Sequence, residues 1–436
     1  MRRTSFCLLL LFGAITLWLA RPFPVLAHGT LLVSSPLDCA TSTPANPIDC
    51  RTGQIYQTAP NQVKLSFTEP VKPIRHGLIV TGPDGKPVEK GTITVNGADL
   101  SIAIDARLPG TYQVSWQVIS QDSHPVRGTF NFSVTRPSEI VSRAYWSGSD
   151  VGGVSPLGLC FQVIAKLAHF AGYALGFGPF FFDWLVLKNA GKDGQKTTES
   201  RLKKLTYYGI GLLLVAEPVD LLGQSASLAS DQLFNPDVLA DILASSFGQV
   251  LTERLGAAIL LWVLLGIDRD NKLLKVGVSA LYLGLAVVDG QTSHAVISDS
   301  VWLGWPANTL HLVAMGLWVG GLVSLLSVLK IPALAEKKGV LVERFGQIAA
   351  VALGWLILSG LIMAWLRLKG LQDLWTSLYG QTLLVKLGFL AAVIGSAGAG
   401  MKLLGGRQSR LWKVELALLL SVVTLAGLLI SLPPPR

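Results

Sequence analysis

The stretch from Gly110 to Val134 reads GTYQVSWQVISQDSHPVRGTFNFSV. Its two ends, Thr111–Ile119 and Gly128–Val134, alternate apolar and polar side chains with period two, the pattern of half-buried strands. Between them lies Ser120–Val126, where Asp122 and His124 are two residues apart. In an extended segment residues i and i+2 project to the same side, so a carboxylate and an imidazole can converge on one ion. Taken alone, that spacing is shared by many ordinary surface pairs.

Working outward, Gln62–Phe67 and Gly91–Val95 show the same alternation. Turn signals separate the runs: Gly82-Pro83-Asp84-Gly85, Asn96-Gly97 and Leu108-Pro109-Gly110. Several short strands with regular turns predict a β-sandwich or barrel over residues 28–136. Upstream, residues 1–27 read as a signal peptide. Arg2 and Arg3 form the basic start, Phe6 to Ala20 the apolar core, and Val25-Leu26-Ala27 a small-residue cleavage site. Cleavage there makes His28 the first residue. Its free amine and imidazole form a nitrogen pair that suits Cu(II). Amine, His28, Asp122 and His124 then make a four-donor set. An exported domain also permits a disulfide between Cys39 and Cys50, with a thiolate metal site as the alternative.

These residues resemble the CopC copper-resistance family. The matching stretches are His28 with Ser34-Ser35-Pro36, Phe67-Thr68-Glu69-Pro70-Val71, Gly110 to Trp116, and Ser120 to Phe132. The resemblance implies a cupredoxin-like, Ig-like β-sandwich with Cu(II) held by His28, Asp122 and His124. The usual D-G-H is here Asp122-Ser123-His124, which keeps both ligand types. Residues 28–136 contain no methionine, which excludes a thioether Cu(I) site in this domain.

The rest of the chain is of another kind. Half of the 436 residues are hydrophobic and 14% are charged, against about 25% charged in soluble domains. After a linker at 137–156, an all-α polytopic membrane domain is predicted over 157–432. A spanning helix needs about 20 apolar residues. Eight candidates lie near 158–187, 204–223, 249–267, 273–290, 303–329, 345–366, 380–401 and 412–432. With the N-terminal domain outside, the first, third, fifth and seventh connections should be cytoplasmic and basic. They carry Lys188 to Lys204, Arg269 to Lys275, Lys330 to Arg344, and Lys402 to Lys413. Arg254, at the start of the third span, runs against this alternation. The net charge of +9 is thus the mark of membrane topology. No aromatic-basic pattern points to nucleic acid.

Polar residues inside spans mark candidate sites. His169 lies in the first span. Glu217 and Asp220 flank Pro218 in the second. His294 lies at the outer end of the fourth, and His311 in the fifth with Met315 one turn on. Imidazole and thioether together suit copper, the thioether favouring Cu(I). This half resembles the CopD family through Ser293-His294-Ala295, His311-Leu312 through Leu317-Trp318-Val319-Gly320-Gly321-Leu322, Arg344-Phe345, Ser359-Gly360, and Tyr379-Gly380 through Leu384-Val385-Lys386.

Together the halves resemble a CopC–CopD fusion. That implies a multi-pass cell-membrane protein that imports copper and is not an enzyme. Its outer domain takes Cu(II), and Cu(I) or Cu(II) occupies His169, His294, His311 and Met315 within the membrane. Its partners are the copper ion, the lipid bilayer and extracytoplasmic or cytosolic copper chaperones. Two alternatives stand beside import: resistance or storage without transport, and a haem- or copper-dependent membrane redox protein. No P-loop for ATP is present.

Overall fold

The computed structural model describes residues 31–38, 51–120, 125–139, 156–187, 195–228, 233–266, 272–291, 301–368, 370–402 and 408–431. They form a β unit and a helical unit.

The β unit has eight strands: β1 Leu31–Ser35, β2 Gln54–Tyr56, β3 Gln62–Phe67, β4 Val71–Thr81, β5 Glu89–Asn96, β6 Asp99–Ile104, β7 Gly110–Ser120 and β8 Pro125–Val134. They form two four-stranded sheets, ordered β1-β3-β6-β5 and β2-β8-β7-β4. This is the sandwich expected from the alternating runs. Val63, Leu65 and Phe67 of β3 point inward to meet Tyr112, Val114, Trp116 and Val118 of β7 in one core. The three-residue β2, too short to show a period, adds in parallel to the edge of β8.

Two aromatic residues of β7 anchor the sandwich, Tyr112 within its own sheet and Trp116 across to the other. The Tyr112 hydroxyl donates to the Leu108 carbonyl at 2.8 Å, and its ring stacks on Phe132 at 5.1 Å. This pins the turn that leads into β7, as tyrosine corners do in such sandwiches. Trp116 packs edge-on against Phe67 at 5.2 Å and lies flat over Gly128, where an added Cβ would approach the indole to 2.6 Å.

The helical unit contains, in chain order, α1 Pro156–Leu185, α2 Gln195–Leu228, α3 Pro236–Leu243, α4 Ser246–Gly266, α5 Lys272–Gln291, α6 Val301–Met315, α7 Gly321–Val328, α8 Lys338–Arg367, α9 Asp373–Thr376, α10 Leu378–Lys402 and α11 Gln408–Ser431. Of these, the end of α2, all of α3 and the start of α4 (Gln224–Gln249) group with the β unit. A five-residue π turn, Gly316–Gly320, joins α6 to α7 as one continuous rod. Among the described residues, seven helices are long and apolar enough to cross a membrane. The last expected span is helical, but its described apolar part, Ala417–Ile430, falls short of that length. Trp262, Leu361 and Trp365 stand exposed on these helices, as lipid-facing side chains do.

Two arginines tie helix ends together. Arg201 on α2 donates to the Ser327 carbonyl at 2.8 Å, and Arg344 on α8 to the Val186 carbonyl at 3.2 Å. Both satisfy carbonyls that a helix C-terminus leaves without a partner. The ends of α1 and α7 therefore share a side with the starts of α2 and α8, as the alternation of basic connections requires.

Gly128→Ala forces Trp116 off its seat and loosens its contact with Phe67. The expected loss is about 1–3 kcal/mol of sandwich stability, measured by pulse proteolysis of the full chain in urea. Gly97→Ala leaves the Trp116 contact alone, since nothing lies within 4 Å of its added Cβ, but its φ of +61° makes it cost about 1–2 kcal/mol through the backbone instead.

Candidate metal centres and a buried charge cluster

The candidate ligands His28, Asp122 and His124 lie outside the described residues, but the strands that lead to them do not. Leu31, the first residue of β1, pairs with Phe67, the last of β3. Val71, the first of β4, pairs with Ser120, the last of β7, and Ile119 pairs with Pro125 across the β7–β8 connection. All these termini meet at one end of the sandwich. Residues 121–124 join two strands there, and His28 precedes Leu31 by three residues, a reach of roughly 10 Å. The link from β3 to β4 at this end carries Glu69, 1% exposed. On β8, burial lowers the pKa of the Arg127 guanidinium from its usual value.

In the helical unit, His311 on α6 faces α8. Its Nδ1 lies 2.9 Å from Ser359 Oγ. The single hydroxyl proton of Ser359 goes to the Trp355 carbonyl at 2.5 Å. Ser359 therefore accepts from His311, which places the ring proton on Nδ1 and the lone pair on Nε2. Gly360 follows Ser359 beside the ring, where a Cβ would make an ordinary 3.7 Å contact with His311 Cε1. Lys386 and Arg367 act on the same histidine electrostatically. Arg367 is held by the Tyr379 hydroxyl at 2.8 Å and lies over its ring at 5.6 Å. Met315, one turn beyond His311, packs into both apolar cores of the unit. His294 lies outside the described residues.

His169 has a different setting. Its Nδ1 lies 2.8 Å from Glu217 Oε1 on α2, and its Nε2 lies 2.8 Å from Asp289 Oδ2 on α5. Asp289 Oδ1 is 2.6 Å from Arg254 Nε on α4, and Arg254 Nη1 is 3.9 Å from Glu217 Oε2. One turn along α1 and α2, Lys166 pairs with Asp220 at 2.5 Å. Four helices thus contribute six ionisable groups to one buried cluster. Both nitrogens of His169 are committed to carboxylates, so a metal ion could bind there only by displacing one of them. Among the described residues, no group of three or more His, Cys, Asp or Glu side chains is arranged to hold a metal ion.

Three domain families match this chain: the CopC domain over residues 46–135, the Copper resistance protein D-like N-terminal domain over 158–305, and Copper resistance protein D over 339–430. Copper resistance protein C of Xanthomonas campestris pv. juglandis is 35% identical over 117 residues, which cover 25% of this chain and 80% of that protein. The chain belongs to the CopC–CopD family. A second relative spans both halves of this CopC–CopD protein. It is Copper transport protein CutJ of Bacillus subtilis (strain 168), 25% identical over 399 residues, covering 87% of this chain and 72% of that one. Among solved structures, CopC from Methylosinus trichosporium OB3b aligns at 25% identity over 26% of this chain and 100% of its own, with a TM-score of 0.19. The CopC–CopD protein is a multi-pass membrane member of a copper transport and resistance family.

Sequence reasoning marked His169, Glu217 and Asp220 separately and did not find their partners. Lys166 and Asp289 went unremarked, and Arg254 counted as an irregularity of topology. That irregularity was the available signal: an arginine inside an apolar span needs an acid on a neighbouring helix. Removing Arg254 leaves Asp289 buried without its cation. Arg254→Met should cost about 3–5 kcal/mol in unfolding of the purified protein in mixed micelles. Arg254→Met with Asp289→Asn should cost less than Arg254→Met alone.

Proposed function

We propose that this CopC–CopD protein imports copper. An extracytoplasmic sandwich captures Cu(II) at the end where β1 begins and β7 turns into β8. The ligands are the amine and imidazole of His28 with Asp122 and His124. The helical unit then receives the ion at His311, with Met315 and His294 as further donors. His169 is left out of this ligand set, because both its nitrogens are engaged.

The observation that carries the membrane step is the orientation of His311 by Ser359. A ligating histidine donates its second N–H to a fixed acceptor, which sets the tautomer and aims the other nitrogen at the metal. Ser359 does this for His311. Storage outside the cell would need only an anchor, whereas the described residues include seven helices long and apolar enough to cross a membrane, four of which bury a cluster of ionisable groups. The alignment with a copper transport protein over most of this chain supports the same reading.

The test is cell copper at limiting external copper and matched membrane levels. The wild type should raise it, and His28→Ala, His124→Ala and His311→Ala should each lose most of the gain. Unchanged cell copper with retained Cu(II) binding would make the chain an external buffer. Ser359→Ala removes only the orienting acceptor. It should weaken copper affinity at the membrane site about 10-fold, read as a rise in the external copper giving half-maximal uptake.

A further inference from the structure

We propose that the cluster of Lys166, His169, Glu217, Asp220, Arg254 and Asp289 is a buried proton-binding site, and that its proton leaves when a copper ion reaches His311, so that copper enters in exchange for protons; this rests on the import reading above. The site is built from α1, α2, α4 and α5, and its ligand is a single proton.

Hydrogen-bond counting points to that proton. Both ring nitrogens of His169 lie 2.8 Å from carboxylate oxygens. A neutral imidazole has one N–H and a carboxylate only accepts, so both contacts are hydrogen bonds only if one further proton is present. Charge counting gives the same result. Lys166 and Arg254 supply two positive charges, and Glu217, Asp220 and Asp289 supply three negative ones. The buried group is neutral with one extra proton and singly negative without it. Glu217 Oε2 accepts no hydrogen bond from a described residue and has only the more distant Arg254 Nη1, at 3.9 Å.

The surroundings add few other ionisable groups. Tyr173 on α1 donates to the Tyr282 carbonyl on α5 at 3.3 Å. Glu253, also buried, adjoins Arg254 on α4. The uncharged Asn308 approaches from α6, and Gly427 of α11 lies beside Lys166. The Lys166–Asp220 pair is the more open end of the cluster: the Lys166 side chain is 17% exposed, against 4% for His169.

The link to copper runs through α6. Asn308 donates to the Asp289 backbone carbonyl at 3.1 Å, and His311 follows three residues later on the same face. Phe170 and Leu312, which follow the two histidines in sequence, pack in one apolar core. Lys386 and Arg367 already act on His311 electrostatically, and a cation arriving there adds to the positive charge against which, through α6, the proton on His169 is held. One N–H bond of His169 then breaks. The electron pair stays on nitrogen, the proton passes to solvent by way of the Lys166–Asp220 end, and the ring keeps its other N–H. By reciprocity, a bound proton weakens copper binding.

The full chain in liposomes, with copper outside, a copper indicator and a pH dye inside, tests this. For the wild type, copper entry should be accompanied by loss of internal protons. An acid interior should speed copper entry about fivefold or more. Glu217→Gln balances the cluster without the extra proton, so copper entry should continue without proton loss and without response to the gradient. Asp289→Asn should do the same from another helix, which guards against a folding defect in either variant. Copper entry by the wild type that ignores the gradient overturns the exchange and leaves import standing. A full gradient response in both variants overturns the assignment of the proton to this cluster. No copper entry at any pH overturns import, and the exchange with it.

Discussion

Charges taken out of water inside an apolar bundle must be matched where they lie, because no solvent is there to screen them. The cluster around His169 meets that demand with groups drawn from α1, α2, α4 and α5. The positions of these helices are therefore coupled. Shifting any one by a turn would leave a buried acid or base without its counterpart. The neighbouring apolar packing of Tyr173, Phe177 and Tyr282 is only weakly directional, so polar matching is what selects among ways of stacking similar apolar surfaces. The ion cluster acts as the registry of the first half of the bundle, and the rod of α6 and α7 is keyed to it through Asn308.

The sandwich solves a different problem with the same economy of contacts. Its candidate ligands are far apart in sequence, but antiparallel pairing of β1 with β3 and of β4 with β7 returns every relevant terminus to one end. The short crossing from Phe67 to Val71 joins the two sheets there. Trp116 packed edge-on against Phe67 ties the two sheets together behind that end, and Tyr112 tied to Leu108 pins the turn at the other.

Much of this was legible in the sequence, for identifiable reasons. The runs at Gln62–Phe67 and Thr111–Ile119 carry a strict period of two, and their inward residues are the core. The spans were legible by length and apolarity, and the basic connections gave the sides on which Arg201 and Arg344 make their caps. The parallel strand β2 was not legible, because three residues define no period and its partner lies almost eighty residues away. The ion cluster was legible only in part. His169, Glu217, Asp220 and Arg254 stand out in apolar runs, whereas Asp289 lies near the end of α5, where charge is ordinary. Ser359 was visible as part of a motif, but its role depends on α8 lying against α6, a contact that no local pattern announces.

The π turn at Gly316–Gly320 has a geometric consequence for everything after it. A π turn holds one residue more than an α turn, so it resets the angular phase of the rod between His311 and α7. Each α-helical residue advances by about 100°, so loss of that extra residue would swing Leu322 and Leu325 away from the core they share with Phe345 and Leu356. The close fit of Gly320 against Ala174 and Gly178 of α1 is where this phase is held. The glycine pair thus works as a clutch: engaged, it lets the upper part of the rod follow the charges around Asp289 while the lower part follows the apolar face of α8.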